Sequence, residues 1–319
     1  MQRFIQTAII SSSVLFSSLS FAQWPEKAIK LIVPYPPGGS VDLIARQYSD
    51  YLKTALNQSV FIENKPGAGT NIGIQAAIQS KPDGYTLVIG TDVLATNPST
   101  GPVPSFNAIE DLAPISNLAH IPSLIAASTQ FEPSTPQAFV AAAQANPGHV
   151  SIGSAALNLQ IATVETGTAS QLNHIIYKGG AQATADAVGH QINAAFASIP
   201  VLHPFVVSGK LKAIATTGAQ RSPSLPDVPT LREAGYPDAV ISSWYAVFAP
   251  KGTPDEVIQK VNQATRQFVN DPAVRPRLEA VGYELQATSP QELGHMLASS
   301  TDKYRQFVKA NQRHFALAK

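Results

Sequence analysis

Short apolar runs and amphipathic stretches alternate along the first two-thirds of this chain. The pattern predicts strands near Ile29–Val33, Val60–Glu63, Thr86–Gly90, Ala113–Asn117 and Leu124–Ala127. More are predicted at Ser151–Gly153, His174–Tyr177, Ala194–Ala197 and Leu211–Thr216. Helical spacing fills the gaps between them, over Val41–Leu56, Asn71–Gln79, Pro136–Gln144, Gln160–Thr168, Ala181–Val188 and Val201–Val207. Strands that alternate with helices form βαβ units, so the expected class is α/β with mostly parallel sheets.

Two segments break the alternation. "PISNLAHIPSL" (Pro114–Leu124) and "AVISSWYAVFAP" (Ala239–Pro250) run on extended with no helix between strands. A chain that leaves one lobe, builds a second and returns makes two such crossings. The expected organisation is a first lobe of residues 23–119 and 243–319 and a second of residues 120–242, joined by two crossing strands. From Pro254 the chain reads as helical, with a short strand near Tyr283–Gln286, and returns to cover the first lobe.

The first 23 residues read as a leader and not as fold. Arg3 precedes a moderately apolar run (Ala8, Ile9, Ile10, Val14, Leu15, Phe16, Leu19), and small residues at Ser20 and Ala22 suit cleavage after Ala22. An N-terminal membrane anchor is the alternative. One of the 22 basic residues, Arg3, lies in this leader, so the mature chain is formally neutral against 21 acidic residues. Neutrality leaves no electrostatic case for a nucleic acid or a membrane surface. The absence of cysteine excludes disulfides, thiolate metal sites and a lipid-modified N-terminal cysteine. An exported, cysteine-free chain suits a Gram-negative periplasm.

Ligands of open α/β sheets bind outside the carboxyl ends of the strands. The first such turn is "PYPPGGSVD", where Gly38 and Gly39 allow close approach and the prolines stiffen it. Ser40 is expected to cap the helix that follows, and a helix N-terminus attracts an anion without any cationic side chain. The alternative is simply a tight, capped turn. The second turn, "ENKPGAGTNIG", mimics a dinucleotide fingerprint, but Lys65-Pro66 and the spacing G-x-G-x-x-x-G argue against one. "GTDVLATNPS" offers Thr91, Thr96 and Asn97, and the later half adds "GSAALN", "YKGGAQA" and "ASIP".

Catalytic machinery is hard to assemble from these residues. There is no G-x-S-x-G and no H-E-x-x-H, and the seven histidines are scattered. Neither a metal nor a cofactor is implied. Asp42 and Asp92 are the one acid–base couple on offer, although Asp42 near a helix start is explained as simply by the helix dipole.

The phrases "WPEKAIKLIVPYPPGGSVDLIAR", "ENKPGAGTNIG", "KPDGYTLVIGT", "YKGG", "SGKLKAIATTGAQRSPSLPDVPTLREAGY" and "SSWYAVFAPKGTP" occur in this order. They resemble the substrate-binding proteins of tripartite tricarboxylate transporters, the Bug family, over nearly the whole mature chain to about Gly294. The resemblance implies a type II-like, two-lobe Venus-flytrap clamp that grips a carboxylate with loop amides and waters. Carried over by position, it points to Tyr35, Gly38, Gly39, Ser40, Asp42, Ala68, Gly69, Thr91 and Asp92. From the second lobe it adds Ser154, Ala155, Tyr177, Gly179, Gly180, Ala197 and Ser198.

The resemblance further implies a monomer that serves one large and one small membrane subunit. A sensor module presenting its ligand to a signalling receptor, and a periplasmic enzyme using Asp42 and Asp92, are the alternatives. Two departures stand out. "GSAALNLQ" is short and apolar where the family has a polar loop, so Leu157 and Leu159 are expected to face a less polar distal end of the ligand. Ile176 replaces a common proline before Tyr177.

Overall fold

The computed structural model describes residues 24–100, 103–155, 157–312 and 315. The expected leader, residues 1–22, lies outside them. In chain order the first lobe opens with β1 (Ile29–Val33), α1 (Ser40–Ala55), β2 (Val60–Asn64), α2 (Asn71–Ile78), β3 (Thr86–Thr91), α3 (Val93–Thr100) and α4 (Ala108–Asp111). A long strand, β4 (Leu112–Ser128), leads into α5 (Pro136–Ala145), β5 (Ser151–Ser154), α6 (Asn158–Thr168) and β6 (Asn173–Ile176). Then come α7 (Gly180–Val188), β7 (Ala194–Ser198), α8 (Ile199–Val207) and β8 (Leu211–Thr216). The chain returns along β9 (Ser242–Pro250) and ends in α9 (Asp255–Asn270), α10 (Arg275–Glu279), β10 (Glu284–Leu285) and α11 (Pro290–Ala310).

The strands follow one order twice. In the first lobe it is β2-β1-β3-β9-β4, and in the second β6-β5-β7-β4-β8. The outer three strands of each set run parallel, as the βαβ pattern expects. The crossing strands pair antiparallel, so each sheet is mixed. β4 belongs to both. Leu112 to Pro122 pair with β9, and Ser123 to Ser128 pair with β7 and β8.

Helices cover both faces of both sheets, which is why the strands read as nearly continuous apolar runs. The two-residue period of β9 makes this concrete. Tyr245, Val247 and Ala249 join one core cluster with α1 and α9, and Trp244, Ala246 and Phe248 join another with α2, α3 and α11. In the second lobe, α5 and α6 cover one face and α7 and α8 the other.

Three local expectations change. The strands expected at Ala113–Asn117 and Leu124–Ala127 are one strand. Ser116, Asn117 and Pro122 look like breakers in sequence, but register shifts between Pro114 and Ser116 and between Asn117 and Ala119 absorb the irregularity. Two buried polar side chains also find partners outside the sheet: Ser116 Oγ donates to the Thr288 carbonyl and Asn117 Nδ2 to the Gln286 carbonyl. "GTDVLATNPS" is a helix from Val93 and not a turn; Leu94, Ala95, Thr96 and Asn97 are buried, so packing outweighs the proline at 98. Finally, Gly39 and not Ser40 is the N-cap of α1.

Candidate functional site

Each residue expected in the site lies at or just beyond the carboxyl end of one of the six parallel strands. Tyr35, Gly38, Gly39, Ser40 and Asp42 follow β1, Ala68 and Gly69 follow β2, and Thr91 and Asp92 end β3. Ser154 and Ala155 end β5, Tyr177, Gly179 and Gly180 follow β6, and Ala197 and Ser198 end β7.

The first loop is held from within. Gly38 takes φ +86°, a conformation that favours glycine, and its N–H donates to Asp42 at 3.0 Å. The Asp42 carboxylate also accepts from Arg46 Nε at 2.9 Å and Nη2 at 3.1 Å, and from Asn64 Nδ2 at 2.9 Å. Burial alone would raise its pKa, but the bonds from Arg46, the Gly38 N–H and Asn64 outweigh burial and hold it below the usual range. With four donors on two oxygens, Asp42 organises the loop.

Helix starts distinguish the two edges of the sheets. At the carboxyl edges, α1, α6, α7 and α8 begin at Gly39, Leu157, Gly179 and Ser198, none of which provides a side-chain cap. At the opposite edges α4, α5 and α11 are capped by Asn107, Thr135 and Ser289, whereas α9 starts at Pro254 with no side-chain cap and opens with Asp255 and Glu256. Uncapped first-turn N–H groups are donors for an anion. The Ala68-Gly69-Thr70 turn adds left-handed backbone, φ 46°, 60° and 79°, and Asn97 Nδ2 anchors it through the Gly69 carbonyl at 2.6 Å.

At the base of the site a chain of hydroxyls links the lobes. Ser198 Oγ donates to Ser40 Oγ at 3.0 Å, and Ser40 Oγ lies 2.7 Å from the Tyr245 hydroxyl. This bond diverts Ser40 from the capping role expected of it. The Tyr283 hydroxyl donates to the Ser40 carbonyl at 2.6 Å, and the Tyr35 and Thr91 hydroxyls are 2.8 Å apart. Burial raises the pKa of Tyr35, Tyr245 and Tyr283, that of Tyr245 to about 12, so all three remain neutral hydroxyls.

Asp92 is 4 % exposed. Its carboxylate accepts from Gln160 Nε2 at 2.8 Å, and its own N–H donates to the Trp244 carbonyl at 3.3 Å. Burial pushes its pKa up to about 7 despite bonds from Ser243 and Gln160. In the second lobe Ser154 Oγ lies 2.7 Å from His174 Nε2, and the Tyr177 hydroxyl donates to Asp186 at 2.6 Å. These contacts orient the loops that follow β5 and β6.

The site thus brings together Tyr35 with Thr91 and Ser40 with Ser198, and leaves Asp42 and Asp92 to separate partners. Tyr245, Tyr283, Gln160 and Ser243 were missed. Tyr245 had a signal, a lone phenol among apolar residues of a crossing strand. The "GSAALNLQ" expectation also changes: Leu159 is buried in a first-lobe core cluster, and Leu157 packs on the second lobe's core. Ile176 ends β6 with its side chain largely exposed.

The family model described as "Tripartite tricarboxylate transporter family receptor" matches residues 44–312. The chain is 32 % identical to the protein BugT of Bordetella pertussis, over 96 % of this chain and 94 % of BugT. A structure of an R. palustris protein with adipate superposes with a TM-score of 0.86 at 26 % identity, covering 91 % of this chain and 98 % of that one. MatC of Rhodopseudomonas palustris, solved with bound malate, gives a TM-score of 0.82 at 25 % identity over 89 % and 100 % of the two chains. The chain therefore belongs to the Bug-type receptors of the tripartite tricarboxylate transporter family, two-lobe solute-binding proteins and not enzymes.

Proposed function

We propose that this protein is a periplasmic receptor that takes a small carboxylate between its lobes and delivers it to the large and small membrane subunits of a tripartite transporter. The observation that carries this reading is the set of uncapped helix starts at α1, α6, α7 and α8. They concentrate N–H donors and helix dipoles at one cleft of a chain that is formally neutral without its leader. Such a site takes its anion by local dipoles and not by long-range attraction. The adipate and malate bound by two structural neighbours are anions of this kind.

The reading assigns residues 23–119 and 243–319 to one lobe and 120–242 to the other. In support, β4 exchanges its partners at Pro122–Ser123, and the returning chain enters β9 at Ser242. The hinge would lie at these two points, and closure would bring the loops of both lobes onto the ligand. The receptor acts as a monomer, exported by its N-terminal signal.

Isothermal calorimetry and thermal shift with adipate, malate, citrate and inorganic phosphate test the reading. A carboxylate that binds only the native state must raise the melting temperature. No shift with any carboxylate, or a shift with phosphate alone, would overturn it.

A further inference from the structure

Helix α6 belongs to the second lobe, yet its first turn is seated in the first. Gln160 Nε2 donates to Asp92 Oδ2 at 2.8 Å and lies 3.3 Å from Ser243 Oγ. All three side chains are buried, at 4 %, 4 % and 8 % exposure. One residue earlier, Leu159 is 3 % exposed and packs in one cluster with Leu94, Ala95, Ile241 and Trp244. The seam continues elsewhere. Ser198 donates to Ser40, and the Gly282 backbone is so close to Ile199 of α8 that a β-carbon there would lie 2.3 Å from Ile199 Cγ2.

We propose that Gln160, Asp92 and Ser243, with Leu159 beside them, form a latch that holds the lobes closed in the resting receptor. A ligand must then wait for the latch to open and must hold the closed state better than the latch does alone. Asp92 makes the latch sensitive to protons. In the open form its carboxyl meets water, whereas in the closed form burial pushes its pKa up to about 7.

Closure therefore takes up a proton, and the closed form weakens as pH rises from the ordinary carboxylate range toward 7. The groups that face Asp92 do not compete for this role. Tyr35, Tyr245 and Tyr304 are phenols with raised pKa, Gln160 and Ser243 are neutral, and the neighbouring residues of α3 are Val93, Leu94, Ala95 and Thr96. The latch rests on the two-lobe reading but not on the identity of the ligand, and its test uses no ligand.

The chain has no cysteine, so Gln47→Cys on α1 and Ala185→Cys on α7, both exposed, accept spin labels cleanly. The mature protein, refolded from denaturant to strip any carried solute, is measured by double electron–electron resonance at pH 5 and pH 8. The wild-type latch gives a short inter-lobe distance at pH 5 and a closed-to-open ratio about tenfold lower or more at pH 8, one decade per unit of pKa change. Gln160→Ala lengthens the distance at both pH values, with circular dichroism confirming the fold. Asp92→Asn, of the same shape, stays closed at pH 8 and loses the pH dependence. A wild-type distance that is long at pH 5, or one that Gln160→Ala leaves unchanged in a folded protein, overturns the latch. A closed wild type whose ratio is the same at both pH values overturns the proton linkage. Failure of the carboxylate reading would appear instead as absence of binding in calorimetry, with these distances unaffected.

Discussion

Replacing Gly179 by aspartate should separate fold from function. Gly179 caps α7 with extended backbone, φ −163° and ψ 154°, and a β-carbon built there meets no heavy atom within 4 Å. The substitution therefore adds neither strain nor collision. An aspartate at an N-cap accepts from a first-turn N–H and stabilises relative to glycine by a few tenths of a kcal/mol at most, about 1 °C or less in Tm. The same carboxylate occupies the donors proposed for the ligand and repels it. At a separation of about 6 Å and an effective dielectric of about 20, the repulsion is about 3 kcal/mol, a loss of more than about a hundredfold in affinity.

The comparison variant is Gly179→Asn, which caps with the same shape and no charge. Calorimetry with the best carboxylate, run beside thermal melts of the ligand-free proteins, measures both quantities. The expected pattern is an unchanged or slightly raised Tm for both variants, with affinity lost far more in the aspartate than in the asparagine. Two results would refute the reasoning. One is an aspartate variant that binds like wild type, which removes α7 from the site. The other is an equal loss in both variants, which makes the effect steric and not electrostatic.

Other perturbations test the support of the site. Asp92→Asn should stabilise the fold at pH 8, by no more than it costs to open the lobes: a carboxyl raised from 3.8 to about 7 weakens the closed native state as pH climbs through that window. The gain should vanish by about pH 4 in melts across pH. Asp42 has the opposite sign; its depressed pKa stabilises above the usual carboxylate range and is lost in acid. Asp42→Ala should lower stability in urea unfolding by about 1 kcal/mol, because it removes the acceptor of the half-buried Asn64 amide and of the Gly38 N–H that shapes the loop, while the exposed Arg46 turns to water. Gly73→Ala should cost about 1–3 kcal/mol by overpacking, since its β-carbon falls 2.7 Å from both the Lys65 carbonyl and Pro34 Cβ. Tyr245→Phe should cost about 1 kcal/mol and loosen ligand binding, having removed the hydroxyl that steadies Ser40.

What sequence reveals here follows the range of the interactions involved. Strand β1 and helix α2 begin at the expected residues because each is specified by its own apolar run and flanking turn. Helix α3 was read as a turn because local propensity, with Pro98 inside it, opposes what burial against α11 and β3 enforces. The loops after the parallel strands were legible from their glycines and prolines, since those residues encode backbone shape directly. The role of the side chains within them was not. Ser40 looks like a cap until Tyr245, 205 residues away, and Ser198, 158 residues away, take its hydroxyl.

The same reasoning applies to the short "GSAALN" loop. Its apolar residues suggested an apolar ligand, but a leucine has no preference between a solute and a neighbouring lobe. What decides is whether the facing surface can bury it. Here the first lobe offers Trp244, Leu94 and Ala95 around Leu159, and beside them a buried carboxylate that needs a donor, which Gln160 supplies. The start of α6 therefore bears first on how firmly the lobes rest together. It bears on ligand choice only indirectly, because every ligand must compete with that resting contact.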